Sequence, residues 1–245
     1  MIQYTEDQEA HEAQALAINE KTNIEDKPLW MTCEGFICFK PSLAEPKKND
    51  DGTDGTYEIA IALPVTSAVA KDLVKRTKAY KLLKFDKARN IREPFKKGDD
   101  YLESRLADAD AEEAKKVKAS YGNLAGHIFF NASTKFALNE EGRAAQLVDE
   151  YGKELDASKV NGGDIVRIQV APFSYNKPGN KGVAFGLRSM QVLRSGDYSG
   201  GAGGDTAGAF STKVDKEDAA AAFTKPATPE TADDAEPLDD ASMFN

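Results

Sequence analysis

Ring-bearing and cationic side chains alternate with apolar ones along residues 163–175, GDIVRIQVAPFSY. Because side chains two residues apart share a face of a strand, this alternation predicts one apolar and one mixed face. The apolar face comprises Val166, Ile168 and Val170, and the mixed face comprises Arg167, Gln169, Phe173 and Tyr175. A ring beside a cation suits a nucleic acid, since the ring stacks on a base while the cation meets a phosphate.

The same combination of ring and cation recurs around this strand. Residues 176–182, NKPGNKG, predict a hairpin loop that leads into a last strand at 181–194. Two earlier predicted strands, 29–40 and 126–138, carry further rings and lysines away from their apolar sides. The predicted nucleic-acid contacts are Phe36, Lys40, Phe129, Lys135, Arg167, Phe173, Tyr175, Lys177, Lys181 and Arg188. For each ring the alternative, packing against inserted helices, stays open at this point.

Between Lys75 and Lys97 the sequence holds ten basic and two acidic residues. A solvated helix face explains such a run as well as a binding surface does. Together with the rings on the strands, the run favours binding of single-stranded nucleic acid.

The residues predict neither catalysis nor a metal or cofactor site. The chain has two histidines, His11 and His127, and neither lies in a setting typical of a general base. Cys33 and Cys38 are five residues apart, which puts them on opposite faces of a strand and predicts two free thiols that are buried or half-buried. The GGAGG stretch lacks the Lys-Ser/Thr pair of a phosphate-binding loop.

The remaining pattern predicts a strand-rich body with a helical insertion. Predicted strands cover 29–40, 56–64, 126–138, 143–150, 163–175 and 181–194. A helix capped by Thr66 and running to about Phe85 follows the second strand, and a polar, exposed helix covers 101–119. Five or six strands with one inserted helical region suit a small antiparallel barrel or sandwich.

Charge divides the chain into three parts. Residues 1–26 hold seven acids and one base, residues 27–196 hold 23 acids and 28 bases, and residues 197–245 hold eleven acids and three bases. The net charges are therefore −6, +5 and −8. We expect an acidic N-terminal arm, a binding domain over 27–196 and a disordered acidic tail over 197–245. A mildly basic body can bind a polyanion although the whole chain is acidic.

The last residues, DDAEPLDDASMFN, combine acids with an apolar tip. The tail can reach the basic surface of the body, and its acids predict competition with nucleic acid there. Its tip predicts docking on another protein, with Asp239, Asp240, Met243 and Phe244 as the contacts. The chain lacks an apolar run long enough to span a membrane and a secretory h-region, so a cytoplasmic location is expected.

Residues 160–197 resemble a family of phage single-stranded DNA-binding proteins. The resemblance rests on a Gly-Gly pair before a strand, a Tyr-Asn at its end, a Lys-Gly-Val turn and a Gly-Leu…Gln-Val strand. In this chain these are Gly162, Gly163, Tyr175, Asn176, Lys181, Gly182, Val183, Gly186, Leu187, Gln191 and Val192. The layout of one body followed by an acidic tail is similar as well.

The resemblance implies an all-β OB fold, a five- to six-stranded antiparallel barrel with a helical insertion after the second strand. It also implies coating of single-stranded DNA during phage replication and recombination in the cytoplasm of the bacterial host. Replication proteins such as a polymerase or helicase would bind the tail, and homo-oligomerisation is left open. Two alternatives remain: a structural or adaptor phage protein whose barrel binds proteins, and an RNA-binding or annealing factor.

Overall fold

The computed structural model describes residues 6–23, 25, 29–85, 90–143, 145–177 and 179–196. The predicted tail, 197–245, and its docking tip lie outside these residues.

The described residues form seven strands and four α-helices, so the fold is rich in sheet but not all-β. The helices are α1 (Glu6–Glu20), α2 (Ala68–Phe85), α3 (Gly98–Leu106) and α4 (Ala111–Tyr121). The strands are β1 (Met31–Ile37), β2 (Tyr57–Pro64), β3 (Lys96–Lys97), β4 (His127–Thr134), β5 (Leu147–Val148), β6 (Ile165–Lys177) and β7 (Asn180–Arg194). Among these helices, none is long and apolar enough to cross a membrane.

The seven strands belong to one sheet in the order β3-β4-β2-β1-β6-β7-β5. Neighbouring long strands pair antiparallel, and β4 pairs in addition with β7 in the parallel sense, at Ala132–Phe185 and Ser133–Gly186. The five longer strands therefore form a circuit of pairings from β1 through β2, β4, β7 and β6 back to β1. The prediction of five to six strands missed β3, because two residues show no periodicity.

The main core follows the predicted alternation. Val166, Ile168 and Val170 of β6 are completely buried, as the sequence predicts. Ile59, Ile61 and Leu63 of β2 and Met31 and Cys33 of β1 join them in the same cluster. Burial of so many branched side chains is the main source of stability of such a body.

Helix α2 packs one face on this core and ends at Phe85, as predicted. Its buried residues include Val69, Leu73 and Thr77. The cap is Ser67 rather than the predicted Thr66, since the Ala70 amide donates to Ser67 Oγ at 3.1 Å. Ser67 satisfies an amide of the first turn that has no partner within the helix.

Helix α1 packs on the body, whereas the sequence predicts a peripheral arm that is either helical or loose. Ala15 and Asn19 are completely buried. The Asn19 side chain donates to the Thr32 carbonyl at 3.0 Å and accepts from the Thr32 amide at 2.7 Å. It thereby satisfies both backbone groups of Thr32, as a neighbouring strand would. Glu12 accepts from the Val69 amide at the start of α2.

Helices α3 and α4 cover part of the sheet face that points away from the main core. There a second cluster, which we call the outer aromatic cluster, comprises Phe36, Phe39, Tyr101, Tyr121 and Phe129. The rings of Phe39, Tyr101, Tyr121 and Phe129 form edge-to-face pairs whose centroids are 5.6–5.9 Å apart. The polar helix predicted at 101–119 is thus two helices, and their tyrosines shield the sheet from solvent.

Candidate nucleic-acid interface

The two longest strands, β6 and β7, form a hairpin whose outward side carries two rings. Phe173 pairs with Ala184 and Tyr175 pairs with Gly182. Both rings are half-buried, and their cross-strand partners have little or no side chain. We call the outward side of residues 171–177 and 180–186 the hairpin face.

Gly182 gives the Tyr175 ring its position. A Cβ atom added to Gly182 would lie 2.5 Å from Tyr175 Oη and 2.9 Å from the Arg92 carbonyl oxygen. The tyrosine therefore lies across the glycine, in the space that any other residue would fill. The Phe173 ring lies farther from Gly186, where an added Cβ would be in ordinary contact with Phe173 Cδ1 at 3.9 Å. Both rings thus rest on small residues with no bulky neighbour directly opposite.

Exposed cations border the hairpin face. Lys177 and Lys181 flank the turn of the hairpin, and both are exposed. Arg92 is exposed as well and lies beside Lys181: its amide donates to the Lys181 carbonyl at 2.9 Å, and its own carbonyl accepts from Val183 at 3.0 Å. In the sequence Arg92 belongs to a run of basic residues, but no sequence pattern predicts that Arg92 contacts the hairpin.

Arg188 lies farther along the same hairpin. Gln169 pairs with Ser189 and Val170 with Leu187, so Arg188 is the extra residue of a β-bulge. Its guanidinium carbon lies 4.8 Å from the centre of the Trp30 ring. The structure therefore places Arg188 on an aromatic side chain near the start of β1, half-buried rather than fully extended into solvent.

Phe36 and Phe129 are not surface rings, contrary to the prediction. They are 4% and 2% exposed, because α3 and α4 cover this part of the sheet. The alternation correctly predicts that both point away from the main core, but helices rather than solvent meet them there. In this structure neither ring offers a face on which a base could stack.

Arg167 is also buried, although the sequence predicts a phosphate contact. It is 1% exposed, and its Nη2 lies 3.5 Å from Glu34 Oε2 on the neighbouring strand. Burial lowers the pKa of the guanidinium, while Glu34 acts in the opposite direction. The pair compensates two charges within the sheet, which is a structural role.

The other two predicted lysines are exposed but lie outside the hairpin face. Lys40 follows the end of β1 and neighbours Phe39 of the outer aromatic cluster. Lys135 follows β4, two residues after Ser133, which pairs with Gly186 of β7. The structure thus places Phe173, Tyr175 and Lys177 on one side of the hairpin, with Lys181 at its turn on the side of Asn176, and leaves the other predicted contacts elsewhere.

The described residues contain no group of three or more His, Cys, Asp or Glu side chains that could hold a metal ion. Cys33 and Cys38 are both free and buried, as predicted. Burial raises the pKa of the Cys38 thiol to about 12 and raises that of Cys33 as well. Neither thiol is therefore a nucleophile at neutral pH.

Comparison with known families adds a second line of observation. Residues 39–220 match the family described as Enterobacter phage Enc34, ssDNA-binding protein. The chain belongs to this Enc34 family. The function of the family is binding rather than catalysis. The matched residues include β2 through β7 and hence the whole hairpin face.

Solved structures of the bacteriophage Enc34 single-stranded DNA-binding protein share the fold. The complex with single-stranded DNA is 17% identical, with a TM-score of 0.52 over 70% of this chain and 89% of that chain. A second structure of the Enc34 protein is 16% identical, with a TM-score of 0.51 over 74% of this chain and 90% of that chain. A C-terminal truncation is 18% identical, with a TM-score of 0.50 over 69% and 87%. No curated protein matches the chain.

Proposed function

We propose that this chain binds single-stranded DNA without sequence preference, with bases stacked on Phe173 and Tyr175 and phosphates held by Lys177, Lys181 and Arg92. The observation that carries the proposal is the hairpin face, two rings on small residues bordered by exposed cations. Membership of a family named for single-stranded DNA binding supports it. Stacking is tolerant of sequence, because every base has a π face.

We further propose that the five paired strands form an OB-type barrel. The parallel pairing of β4 with β7 supports this, since it returns the circuit of pairings to its start. The fold likeness to the Enc34 protein is consistent with it. OB folds of this kind bind oligonucleotides on their outer strand faces.

In the cell, the proposed role is to coat and protect single strands during phage DNA replication and recombination, in the cytoplasm of the bacterial host. The acidic tail competes with DNA for the cations of the body and recruits replication proteins such as a polymerase or helicase. Charge supports this, because the tail carries −8 and residues 27–196 carry +5. A competitor tethered to the binding surface lowers the apparent affinity for DNA.

Fluorescence anisotropy with a labelled oligothymidine, compared with a duplex of equal length, tests the binding function. The expected result is tight binding to the single strand and weak binding to the duplex. Equal affinity for the two, or no binding to either, contradicts the proposal. Preference for an equivalent RNA strand would favour the RNA-binding alternative instead.

The same assay tests whether the negative charges of the tail compete with DNA. Replacing Asp233, Asp234, Glu236, Asp239 and Asp240 by their amides removes five negative charges at constant size. We expect tighter DNA binding at low salt, with a difference that shrinks as salt rises. Unchanged affinity at low salt would show that the tail does not compete with DNA.

A further inference from the structure

The outward face of α2 carries two adjacent leucines in solvent. Leu82 and Leu83 are 63% and 56% exposed, although they are consecutive residues of a helix that buries its opposite side. Single exposed apolar residues are ordinary on a protein surface. Two neighbouring leucines at one end of a helix form a small apolar patch. Such a patch can serve as a docking surface when the charges around it favour one kind of partner.

Cations surround these leucines. Lys71, Lys75, Lys78 and Leu82 follow helical spacing and therefore form one exposed stripe. Lys84 lies 5.5 Å from the centre of the Tyr80 ring, one residue beyond Leu83. Along its whole length α2 holds six basic residues and one acid, a net charge of +5. We call this exposed side, with its lysines and two leucines, the α2 patch.

The α2 patch is close to the hairpin. Helix α2 packs against β6 and β7, with the Tyr80 side chain near Ser174 of β6. Ser174 lies between Phe173 and Tyr175 on the strand, so it points to the side opposite the two rings. The C-terminal half of α2 is thus attached to one side of the hairpin, while the proposed DNA surface is on the other.

A surface of lysines and leucines suits an acidic peptide with apolar side chains better than it suits DNA. Leucine offers no π face on which a base could stack. Residues 233–245 of this chain, DDAEPLDDASMFN, hold five acids and no base, and the apolar residues Met243 and Phe244 come after the last acid. The two surfaces therefore match in charge and in apolar character.

The connecting length allows this contact. A Gly-rich chain as long as residues 197–232 has a typical span of about 33 Å. The expected radius of gyration of a body of this size is about 16 Å. A segment that starts at residue 233 can therefore reach any side of the body.

We propose that residues 233–245 dock on the α2 patch, with Met243 and Phe244 against Leu82 and Leu83 and the acids beside the lysines. The proposal deepens the regulatory part of the proposed function and rests on it. It assigns the tail a receptor outside the hairpin face. From there the acids lie near Lys181, which pairs with Asn176 and so points to the same side of the hairpin as Ser174, and they compete with DNA without occupying the place of the bases.

Paramagnetic relaxation on the full chain tests the docking. Ala235→Cys provides a labelling site for a maleimide spin label, since the native thiols Cys33 and Cys38 are buried. We expect broadening of the amide signals of α2 from Lys78 to Leu83 at low salt, and loss of that broadening at high salt.

Two variants decide between docking and general electrostatic attraction. Leu82→Ser with Leu83→Ser keeps every charge and should abolish the broadening of α2. Val65→Ser changes an apolar residue that is 44% exposed outside this helix, and should leave the broadening unchanged. Broadening of α2 that persists in the double serine variant overturns the proposal. So does an absence of α2 broadening in the labelled protein without these substitutions, or broadening there that is confined to the hairpin face.

DNA binding of the same proteins separates this proposal from the proposed function. Broadening of α2 in a protein that does not bind oligothymidine refutes the proposed function and supports docking. Oligothymidine binding without broadening of α2 refutes docking and leaves the binding function intact.

Discussion

Removing the Tyr175 ring should weaken binding of single-stranded DNA while the fold stays intact. Tyr175→Ala deletes a half-buried ring that lies across Gly182, at the end of the hairpin next to Lys177. The ring packs on a glycine and not in the main core. We therefore expect the loss of folding stability to be of the size of a cross-strand pair, about 0.2–1 kcal/mol.

The effect on DNA binding should be larger than the effect on folding. Loss of one base–ring stack costs about 1–3 kcal/mol, which is about 5-fold to 150-fold in affinity. Phe173 and Tyr175 are two residues apart on one strand, about 6.8 Å along its axis, so each ring can hold its own base. Phe173→Ala should therefore have an effect of the same size. The double variant should lose more than either single variant.

Anisotropy titrations of a labelled oligothymidine at fixed salt measure these differences, with circular dichroism as the check on folding. Tyr151→Ala is the matched control, because Tyr151 is 57% exposed and lies outside the hairpin face. It should bind DNA like the unaltered protein. If Tyr175→Ala and Phe173→Ala both fold and bind normally, the hairpin face is not the stacking surface and the reasoning is refuted.

Three further outcomes follow from the same structure. Lys177→Gln with Lys181→Gln should reduce the slope of log K against log salt by about 1.4, since each phosphate contact on a single strand contributes about 0.7. Phe129→Ala should lower the free energy of unfolding by about 3–5 kcal/mol, because the ring is buried, while the folded fraction still binds DNA. Burial lowers the pKa of His127 below its ordinary value. The unfolded state therefore binds a proton first, and the unfolding free energy should fall as the pH drops below about 6.5. Chemical denaturation at several pH values should show less of this fall in His127→Gln.

Each of these predictions has a result that would contradict it. Lys159→Gln removes an exposed lysine from the short 3-10 helix before β6 and should leave the salt slope unchanged. An unchanged slope in the hairpin double variant would show that these lysines do not contact phosphates. Normal stability of Phe129→Ala would contradict the burial of the outer aromatic cluster. An identical pH dependence in His127→Gln and the unaltered protein would mean that His127 does not titrate differently on folding.

The local pattern of the hairpin could be predicted from sequence because it depends on a period of two. Val166 and Val170 point into the main core and Tyr175 points away from it, as the alternation predicts. The turn between β6 and β7 was also visible, since it contains Pro178 and Gly179 between two alternating runs. Neither inference needs information about distant parts of the chain.

What covers each face was decided by the tertiary structure. The same alternation that directs Tyr175 outward also directs Phe36, Phe129 and Arg167 away from the main core. Helices α3 and α4 cover the two phenylalanines, and Glu34 on β1 meets the arginine. Contacts of this kind join residues far apart in sequence, so a local period cannot reveal them.

The sequence alone therefore determined the longer strands, the apolar faces of β2 and β6 and the unequal charges of the three parts of the chain. Only the tertiary structure decided which of the outward-pointing rings remain partly exposed. It also brought Arg92 into contact with Lys181 and packed α1 on β1. The physical reason is that side-chain direction follows from backbone geometry over a few residues. Burial, in contrast, depends on which distant elements exclude water from the same surface.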